Sequence, residues 1–369
     1  MLKKYLRNPF IVSSLVLFLT VARASAFNPG EVQVNPKFST SKTVDDTDDP
    51  AIWIHPTEPS KSVILGSDKS GGVFVYDLSG KQIQHLPTHT ALNNIDVRYG
   101  FFLGGKSVDI LAGNLRDVGK LALYVFHPDY SNGEVLTTIA DQNSSNNDLQ
   151  KDSYGFALYR RPSDGAMFVF DRPKDGGKVR QYRLQDDGTG KGVTVTPVRD
   201  LHYNGGTAEG YVADDQLGFV YITEEAKGIH KYFADPDQSS DPIALFATED
   251  GITSDREGLA LYACDDGTGY LVLSNQGADN LKVYERQGAN RFVKTIFPTD
   301  EGGRVDLGTD GLDVTSAFVP GFPGGFLVAH DQGGMRFHVY DWITIAETDL
   351  KICPDGKIAA GAVPAGALQ

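Results

Sequence analysis

The sequence is poor in cysteine and in basic residues. Its 369 residues include two cysteines, Cys264 and Cys353, too few for a thiolate metal cluster; whether they pair is left open. Lys and Arg number 34 against 48 Asp and Glu, and the formal charge of −14 argues against a nucleic-acid partner. G-x-S-x-G, H-E-x-x-H and Walker motifs are also missing, and no Ser, Cys or His is placed as an activated nucleophile.

Long apolar runs are missing too, except near the N-terminus. Residues 1–26 combine Lys3 and Lys4, an apolar stretch at 10–19 and an Ala-Ser-Ala that ends at Ala26, which is typical of a secretory signal peptide. The alternative is an uncleaved anchor, but the apolar stretch is shorter than the ~20 residues that a membrane span needs. We therefore predict a secreted or periplasmic protein without a membrane anchor, cleaved near Ala26.

The sequence does contain a repeated unit. Each copy has a polar residue, here called the anchor, before a short apolar strand, a second apolar strand, a Gly-rich gap and an aromatic third strand. Two clear copies contain DPAIWIHP and EGLALYACDDGTGYLVLSNQGADNLKVYER. The anchors lie roughly 50 residues apart, close to the period of propeller blades with four strands each. They are Asp49, Asp96, Tyr154, Glu209, Glu257 and Asp310.

The repeat predicts an all-β fold, a six-bladed β-propeller with four-stranded antiparallel blades over residues 27–349, followed by a C-terminal tail at 350–369. The competing α/β fold needs long segments of 3.6-residue periodicity between the strands, and we find none of convincing length. Glu31–Val34 is the predicted strand that completes the last blade and closes the ring.

Five of the six anchors are carboxylates. The innermost strands of a propeller run along its central channel, so these anchors are expected to form an acidic ring around one axis. Clustered carboxylates repel one another, and a hard cation that prefers oxygen ligands relieves the repulsion, which favours Ca²⁺. The alternative is that each acid caps a turn, although Glu is a poor turn residue.

Further acids extend the predicted calcium sites. Asp255 and Glu257 are one residue apart, so in an extended segment both side chains point the same way and bind one ion. Asp310 and Asp313 offer a second pair through a turn. Of the doublet formed by Glu224 and Glu225, alternation predicts that one is a ligand and the other points away.

Three basic residues follow the second strands of the first three repeats. Lys69, Arg116 and Lys174 are therefore expected to converge near the acidic ring, and calcium beside Lys and Arg suits a substrate rich in phosphate. The alternative is that they are ordinary surface charges. Tyr154, the one aromatic anchor, either binds the ligand through its hydroxyl or merely packs.

These residues and several longer motifs resemble the β-propeller phytases, from about Asp45 to Trp342. The resemblance implies a six-bladed, calcium-dependent, secreted phosphatase of phytate (myo-inositol hexakisphosphate) and other inositol phosphates, in which calcium bridges enzyme and substrate and a metal-activated water attacks phosphorus. The motifs that carry the resemblance are Asp48-Asp49-Pro50-Ala51-Ile52-Trp53, Lys69-Ser70-Gly71, Asn93-Asn94-Ile95-Asp96-Val97-Arg98, Tyr154-Gly155-Phe156, Glu209-Gly210, Glu257-Gly258-Leu259, Tyr284-Glu285-Arg286-Gln287-Gly288 and Thr309-Asp310-Gly311-Leu312-Asp313-Val314.

The resemblance also implies roles for single residues. The loop at 171–178 differs in length from the family pattern, which leaves Lys178 as an alternative to Lys174, and the match fades after Asp331. By this resemblance, the calcium ligands at the cleavage site are Glu209, Glu225, Asp255 and Glu257, and the ligands of ions that hold the fold are Asp49 and Asp310. The residues that it assigns to catalysis and phosphate binding are Lys69, Arg116, Tyr154 and Lys174, and Asp96 is also assigned to substrate binding.

Two other functions stay open at this point. A calcium propeller of the lactonase or phosphotriesterase kind needs the acidic ring but not several Lys and Arg beside it. A non-enzymatic binding propeller uses calcium for stability alone. We further expect a monomer.

Overall fold

The computed structural model describes residues 30–130, 133–253 and 255–353. Within these ranges the chain forms 25 strands, β1 to β25 in chain order, one short α-helix, α1 (Trp342–Ala346), and two 3-10 turns at Pro59–Lys61 and Gln276–Ala278. No helix of the described ranges is long and apolar enough to cross a membrane. The predicted signal peptide and residues 354–369 of the predicted tail lie outside these ranges.

The strands form six small antiparallel sheets, and the predicted six-bladed propeller is confirmed. Each sheet is numbered as a blade and described from its innermost strand outward. Blade one has β3 (Thr47–Trp53), β4 (Val63–Asp68), β5 (Gly72–Tyr76) and β6 (Gln82–Leu86); blade two has β7 (Leu92–Leu103), β8 (Lys106–Leu115), β9 (Lys120–Phe126) and β10 (Leu136–Ala140); blade three has β11 (Ser153–Arg160), β12 (Met167–Pro173), β13 (Arg180–Asp186) and β14 (Val193–Asp200).

The remaining three blades complete the ring, because each innermost strand contacts the innermost strand of the next blade, and β23 returns to β3. Blade four has β15 (Tyr211–Asp214), β16 (Phe219–Glu224), β17 (Gly228–Phe233) and β18 (Ala244–Phe246); blade five has β19 (Arg256–Ala263), β20 (Gly269–Asn275), β21 (Asn280–Glu285), β22 (Phe292–Pro298) and β1 (Glu31–Val34); blade six has β23 (Leu312–Thr315), β24 (Phe326–Asp331), β25 (Arg336–Asp341) and β2 (Phe38–Ser39).

The predicted ring closure is wrong in its strand. Glu31–Val34 adds a fifth strand to blade five, parallel to β22, and does not enter blade six. Blade six is instead completed by Phe38–Ser39, which pairs with Val339 and His338. Only two residues pair there, too few to show the period-2 pattern of a strand in the sequence. The N-terminal segment therefore fastens two blades together.

The core lies between adjacent blades, where apolar side chains from facing sheets interlock. Trp53 of blade one stacks on Phe126 of blade two with ring centroids 4.5 Å apart. At blade five, Trp342 stacks on Tyr262 at 3.9 Å, and a disulfide joins Cys264 to Cys353. The two cysteines that the sequence left open are thus paired, and the disulfide ties the chain beyond α1 to blade five.

The register of the innermost strands corrects two anchors. The Cα of Gly258, which follows Glu257, faces the carbonyl oxygen of Asp310 in the next blade. In the same way Gly311, which follows Asp310, faces the carbonyl oxygen of Asp48. The counterpart of Asp310 in blade one is therefore Asp48 and not Asp49. Three strand-to-strand hydrogen bonds then place Asp96 level with Asp313. In each, a carboxylate accepts from a backbone N–H of the next blade: Asp49 from Ile95, Asp96 from Leu158, and Asp313 from Ile52.

The true second anchor is therefore Asn93, three residues before Asp96. Three residues of an extended strand span about 10 Å, so Asp96 lies that much farther along the channel than the anchors. The prediction of five carboxylates in register is wrong for Asp49 and Asp96. One end of the channel, here called the mouth, carries the remaining anchors.

Candidate functional site

Three glutamates converge at the channel mouth. Glu209 lies just before β15, Glu225 just after β16, and Glu257 is the second residue of β19. One carboxylate oxygen from each lies within 4.8 Å of the others. Glu209 and Glu257 are buried, while Glu225 is partly exposed. We call these three residues the carboxylate cluster, and blades four and five position all of them.

Burial and mutual repulsion oppose the ionised form of these carboxylates. Burial and the carboxylate of Glu209 raise the pKa of Glu257 to about 11. Burial and Glu209 likewise raise the pKa of Glu225 above its usual value. The Oε2 atom of Glu257 is buried and has no hydrogen-bond partner among the described residues. The cluster must therefore hold protons or a cation, and convergent carboxylate oxygens with one orphaned atom fit a hard divalent ion such as Ca²⁺.

The acidic doublet after β16 divides as alternation predicts. Glu224 accepts a hydrogen bond from the Gly206 N–H at 2.9 Å, and its Oε2 lies 2.7 Å from Nε2 of His230. Its carboxylate is therefore satisfied within blade four. Glu225 points the other way and joins the carboxylate cluster.

Asp255 lies next to the cluster but outside it. The sequence predicts an extended segment in which Asp255 and Glu257 point the same way, and this is wrong. Asp255 has φ +42°, in the left-handed region, and the pairing of β19 with β20 is irregular between Arg256 and Leu259. Asp255 is exposed, and its charge still helps to raise the pKa of Glu225.

Tyr154 lies between two of the predicted phosphate-binding cations. The guanidinium of Arg116 is 4.9 Å from the centroid of its ring, and Nζ of Lys174 is 4.6 Å away. Asp152 accepts a hydrogen bond from Nε of Arg116 at 2.9 Å. Burial and Glu209 raise the pKa of Tyr154 above its usual value, so its hydroxyl stays protonated beside the cluster. Lys178 instead donates to Asp200 at 2.6 Å and is not at this site.

Lys69 lies in a cleft beside the mouth. Its Nζ donates to Oδ1 of Asp48 at 2.7 Å, while Oδ2 of Asp48 is buried without a partner in the described structure. Burial alone would lower the pKa of Lys69, but the carboxylates of Asp48 and Glu209 raise it. Lys69 and Arg116 together line a cleft of about 710 Å³, wide enough for a polar ligand larger than one phosphate.

The other predicted ligands occupy different levels of the channel. Asp310 is at the mouth, where burial, Asp48 and Glu209 raise its pKa to about 8. Asp49 lies one residue farther in, and burial and Asp48 raise its pKa well above the usual value. Asp96 lies deeper still and pairs with Arg98 at 2.6 Å. The structure thus brings Asp310 near the cluster and places Asp96 away from the mouth.

Sequence reasoning missed two residues of this site. The side-chain amide of Asn93 donates to Oε1 of Glu209 at 2.9 Å and to the carbonyl oxygen of Tyr154 at 3.3 Å, so it links blades two, three and four. The correct register of the repeat would have revealed it. Arg172, nearly fully buried on β12, carries a positive charge that acts on Glu225. Its only signal was a pair of charged residues, Asp171 and Arg172, at the end of a strand that begins with four apolar residues.

Comparisons with known proteins agree on one family. A family model described as Phytase matches residues 8–353. A curated protein, the 3-phytase of Bacillus subtilis (strain 168), is 39% identical over 315 residues, which cover 82% of this chain and 81% of that protein. Among solved structures, the β-propeller domain of Cps50 (Swd1) from Myceliophteria thermophila matches over 82% of this chain and 84% of its own, at 12% identity and a TM-score of 0.43.

Proposed function

The chain belongs to the phytase family, and we propose that it hydrolyses phytate and other inositol phosphates with calcium bound at the carboxylate cluster. The observation that carries the proposal is the juxtaposition at the mouth. Three carboxylates with oxygens within 4.8 Å of one another lie beside Tyr154, whose ring is flanked by Arg116 and Lys174. Cation-binding oxygens next to fixed cations suit a substrate with several phosphates.

The residues of the site have two roles, binding of the ion and binding of the phosphate. Glu209, Glu225 and Glu257 would hold the ion, with Asp255 beside them at the rim. When bound, calcium neutralises phosphate oxygens and activates water for attack on phosphorus. Arg116 and Lys174 bind the anionic oxygens of the phosphoryl group and stabilise its charge as the bond breaks.

Neighbouring residues orient the side chains of Arg116 and Lys174. Asp152 fixes the guanidinium of Arg116, and the ring of Tyr154 keeps both cations at one side of the cluster. Lys69, which lines the same cleft as Arg116, binds a second phosphate of the same substrate in this proposal. We also assign Asp49 and Asp310 to ions that stabilise the fold, since both residues are only partly exposed and their carboxyls have raised pKa values.

We further propose that the protein is secreted or periplasmic. The signal-like residues 1–26 motivate this, and the disulfide between Cys264 and Cys353 supports it, because such bonds persist in oxidising compartments.

A substrate panel tests the function. Phytate, a lactone and a phosphotriester are each incubated with the protein in calcium and in chelator, and the products are quantified. We expect phosphate release from phytate in calcium alone. Turnover of the lactone or the triester with phytate untouched would favour the other calcium-propeller enzymes, and no turnover at all would favour a binding protein.

A further inference from the structure

The cleft beside the mouth has more negative than positive side chains in its lining. Its two cations face three carboxylates, and the charged lining residues are Lys69, Arg116, Asp46, Asp117 and Asp152. Both cations already bind a carboxylate, at 2.7 Å for Lys69 and at 2.9 Å for Arg116. A phosphate group in this cleft is therefore held more tightly if the lining offers a further donor that is not already paired.

The loop at 87–91, here called the β6–β7 loop, lies between the turns that carry the two cations. A Cβ added to Gly72, the first residue of β5, would lie 2.6 Å from the backbone N atom of Thr88, so the loop packs against the turn between β4 and β5. At its other end, the carbonyl oxygen of Ala91 accepts a hydrogen bond from the N–H of Arg116 at 2.8 Å. Both ends of the loop are thus fixed to the walls of the cleft.

His89 is the free side chain at the centre of this loop. It is exposed, it lines the cleft, and it makes no hydrogen bond, ion pair or ring contact with any described residue. The Thr88 hydroxyl donates to the carbonyl oxygen of Thr90 at 2.8 Å, which fixes the backbone on both sides of His89. The Thr90 hydroxyl also belongs to the lining, and it is buried without a partner in the described structure. The β6–β7 loop therefore brings an unpaired imidazole to the cleft.

An imidazole at this position can bind an anionic oxygen in two ways. The neutral ring donates one hydrogen bond, and the protonated ring donates from both nitrogens and adds a positive charge. Histidine side chains change between these forms from pH 8 to pH 5. Protonated His89 would be the unpaired cation among the described residues of the lining. The charged groups that face it are Asp46 before β3, Lys69 after β4, Arg116 and Asp117 after β8, and Asp152 before β11.

We propose that His89 is a specificity-determining residue: it binds a substrate phosphate other than the one that is cleaved, and it binds that phosphate more tightly when its ring is protonated. Arg116 lines the cleft and also stacks on Tyr154 beside the carboxylate cluster, so one inositol ring can place one phosphate at the cluster and another in the cleft. The inference rests on the proposed function, since it requires a substrate with several phosphates.

Two variants of His89 and one control test the proposal. His89→Gln keeps a hydrogen-bond donor but removes the titratable group, whereas His89→Lys stays positively charged throughout the pH range. The matched control is His127→Gln, because His127 is also exposed but follows the far end of β9. The seven residues of that strand separate it by about 23 Å from the turn that carries Arg116.

The probe is myo-inositol hexasulfate, whose sulfate groups do not titrate between pH 6 and pH 8. Its Kd is measured by isothermal titration calorimetry at both pH values in saturating calcium. KM and kcat for phytate are measured under the same conditions. Because His89 is exposed and without a partner, all variants should fold with the Tm of wild type.

We expect the Kd of His89→Gln to exceed that of wild type about fivefold at pH 6 and less than about twofold at pH 8. His89→Lys should match wild type at pH 6 and bind more tightly than wild type at pH 8. The KM for phytate should follow the Kd, with kcat within about twofold of wild type, because the cleaved phosphate is bound elsewhere. His127→Gln should match wild type throughout.

Three outcomes overturn the inference. A Kd of His89→Gln equal to that of wild type at both pH values removes His89 from the binding site, and a Kd raised by the same factor at both removes the role of its charge. A lowered kcat with an unchanged KM would place His89 at the cleaved bond instead. Failure of the proposed function is distinguishable from all three, because wild type then releases no phosphate from phytate.

Discussion

Replacing Glu257 by Gln should have opposite effects with and without calcium. At a separation of 4.8 Å and an effective dielectric constant of about 20, two carboxylates repel each other by about 3.5 kcal/mol. The metal-free protein avoids this repulsion by keeping Glu257 protonated, since its pKa is about 11. Holding that proton at pH 7, against a usual pKa of 4.5, costs about 3 kcal/mol of folding free energy.

Glu257→Gln removes this cost because an amide has the size of the carboxyl group and no charge to neutralise. In chelator at pH 7 the variant should therefore be more stable than wild type by up to about 3 kcal/mol, or roughly 5 °C in Tm. In calcium the order should reverse, because the amide is a poorer ligand for a divalent cation. The variant should also need more calcium for half-maximal phosphate release.

The assay is thermal unfolding of both proteins at pH 7 in chelator and across a calcium series. Glu224→Gln is the matched control, since Glu224 neighbours the cluster but pairs with His230 at 2.7 Å. It should lose stability in chelator, the opposite sign. If Glu257→Gln melts at or below the wild-type temperature in chelator, the electrostatic reasoning about the cluster is refuted.

Three further outcomes follow from the same geometry. Lys69→Ala and Arg116→Ala should each lower phytate hydrolysis at least tenfold, and wild-type rates in both would remove them from the site. Arg116→Ala should lower Tm by only a few degrees, because the side chain of its partner Asp152 is about half exposed, whereas Lys69→Ala should cost more stability, because it leaves the buried Asp48 without its cation. Metal-free protein should lose stability as pH rises from 5 to 8. The reason is that Glu257 and Asp310, with pKa values raised to about 11 and about 8, bind protons more tightly in the folded state than in the unfolded state. A Tm that increases over this pH range in chelator would contradict this. Serine in place of both cysteines should cost about 2–4 kcal/mol, measured by denaturant unfolding, and an unchanged midpoint would show that the disulfide is dispensable.

The architecture was predictable because its signal is repeated. Short apolar strands recur at the spacing of propeller blades, and each must be buried on both faces. A strand that is assigned wrongly in one copy therefore does not change the predicted architecture. The ring closure was not predictable in this way. Phe38–Ser39 is too short for a pattern, and Glu31–Val34 pairs in parallel with a strand more than 260 residues away in sequence, a tertiary contact that local pattern does not encode.

The site was predictable where acids begin a repeat and failed where backbone geometry decides. Glu209 and Glu257 follow from the repeat itself. The predicted register of Asp96 is wrong because Asn93, a neutral residue three positions earlier, occupies the anchor position. The predicted common direction of Asp255 and Glu257 is wrong because the left-handed backbone of Asp255 breaks the alternation on which it depended.

Arg172 illustrates what no sequence pattern encodes. Its contacts join the turn of Lys174 to Tyr203 in the segment between blades three and four, and both depend on how that segment packs. The sequence likewise does not decide between Glu224 and Glu225, because the decision depends on His230, which pairs with Glu224. Nor does it decide between Lys174 and Lys178, because Lys178 is bound by Asp200.

The most direct test of the account is phosphate release from phytate as a function of free calcium, for wild type and Glu209→Gln. Glu209 accepts a hydrogen bond from Asn93 and has a carboxylate oxygen within 4.8 Å of those of Glu225 and Glu257, so its charge is central to the proposed calcium site. The account predicts no release by wild type in chelator, a saturable increase with calcium, and for the variant a curve moved to higher calcium with a lower plateau. Undiminished release in chelator, or coincident curves for the two proteins, would contradict it.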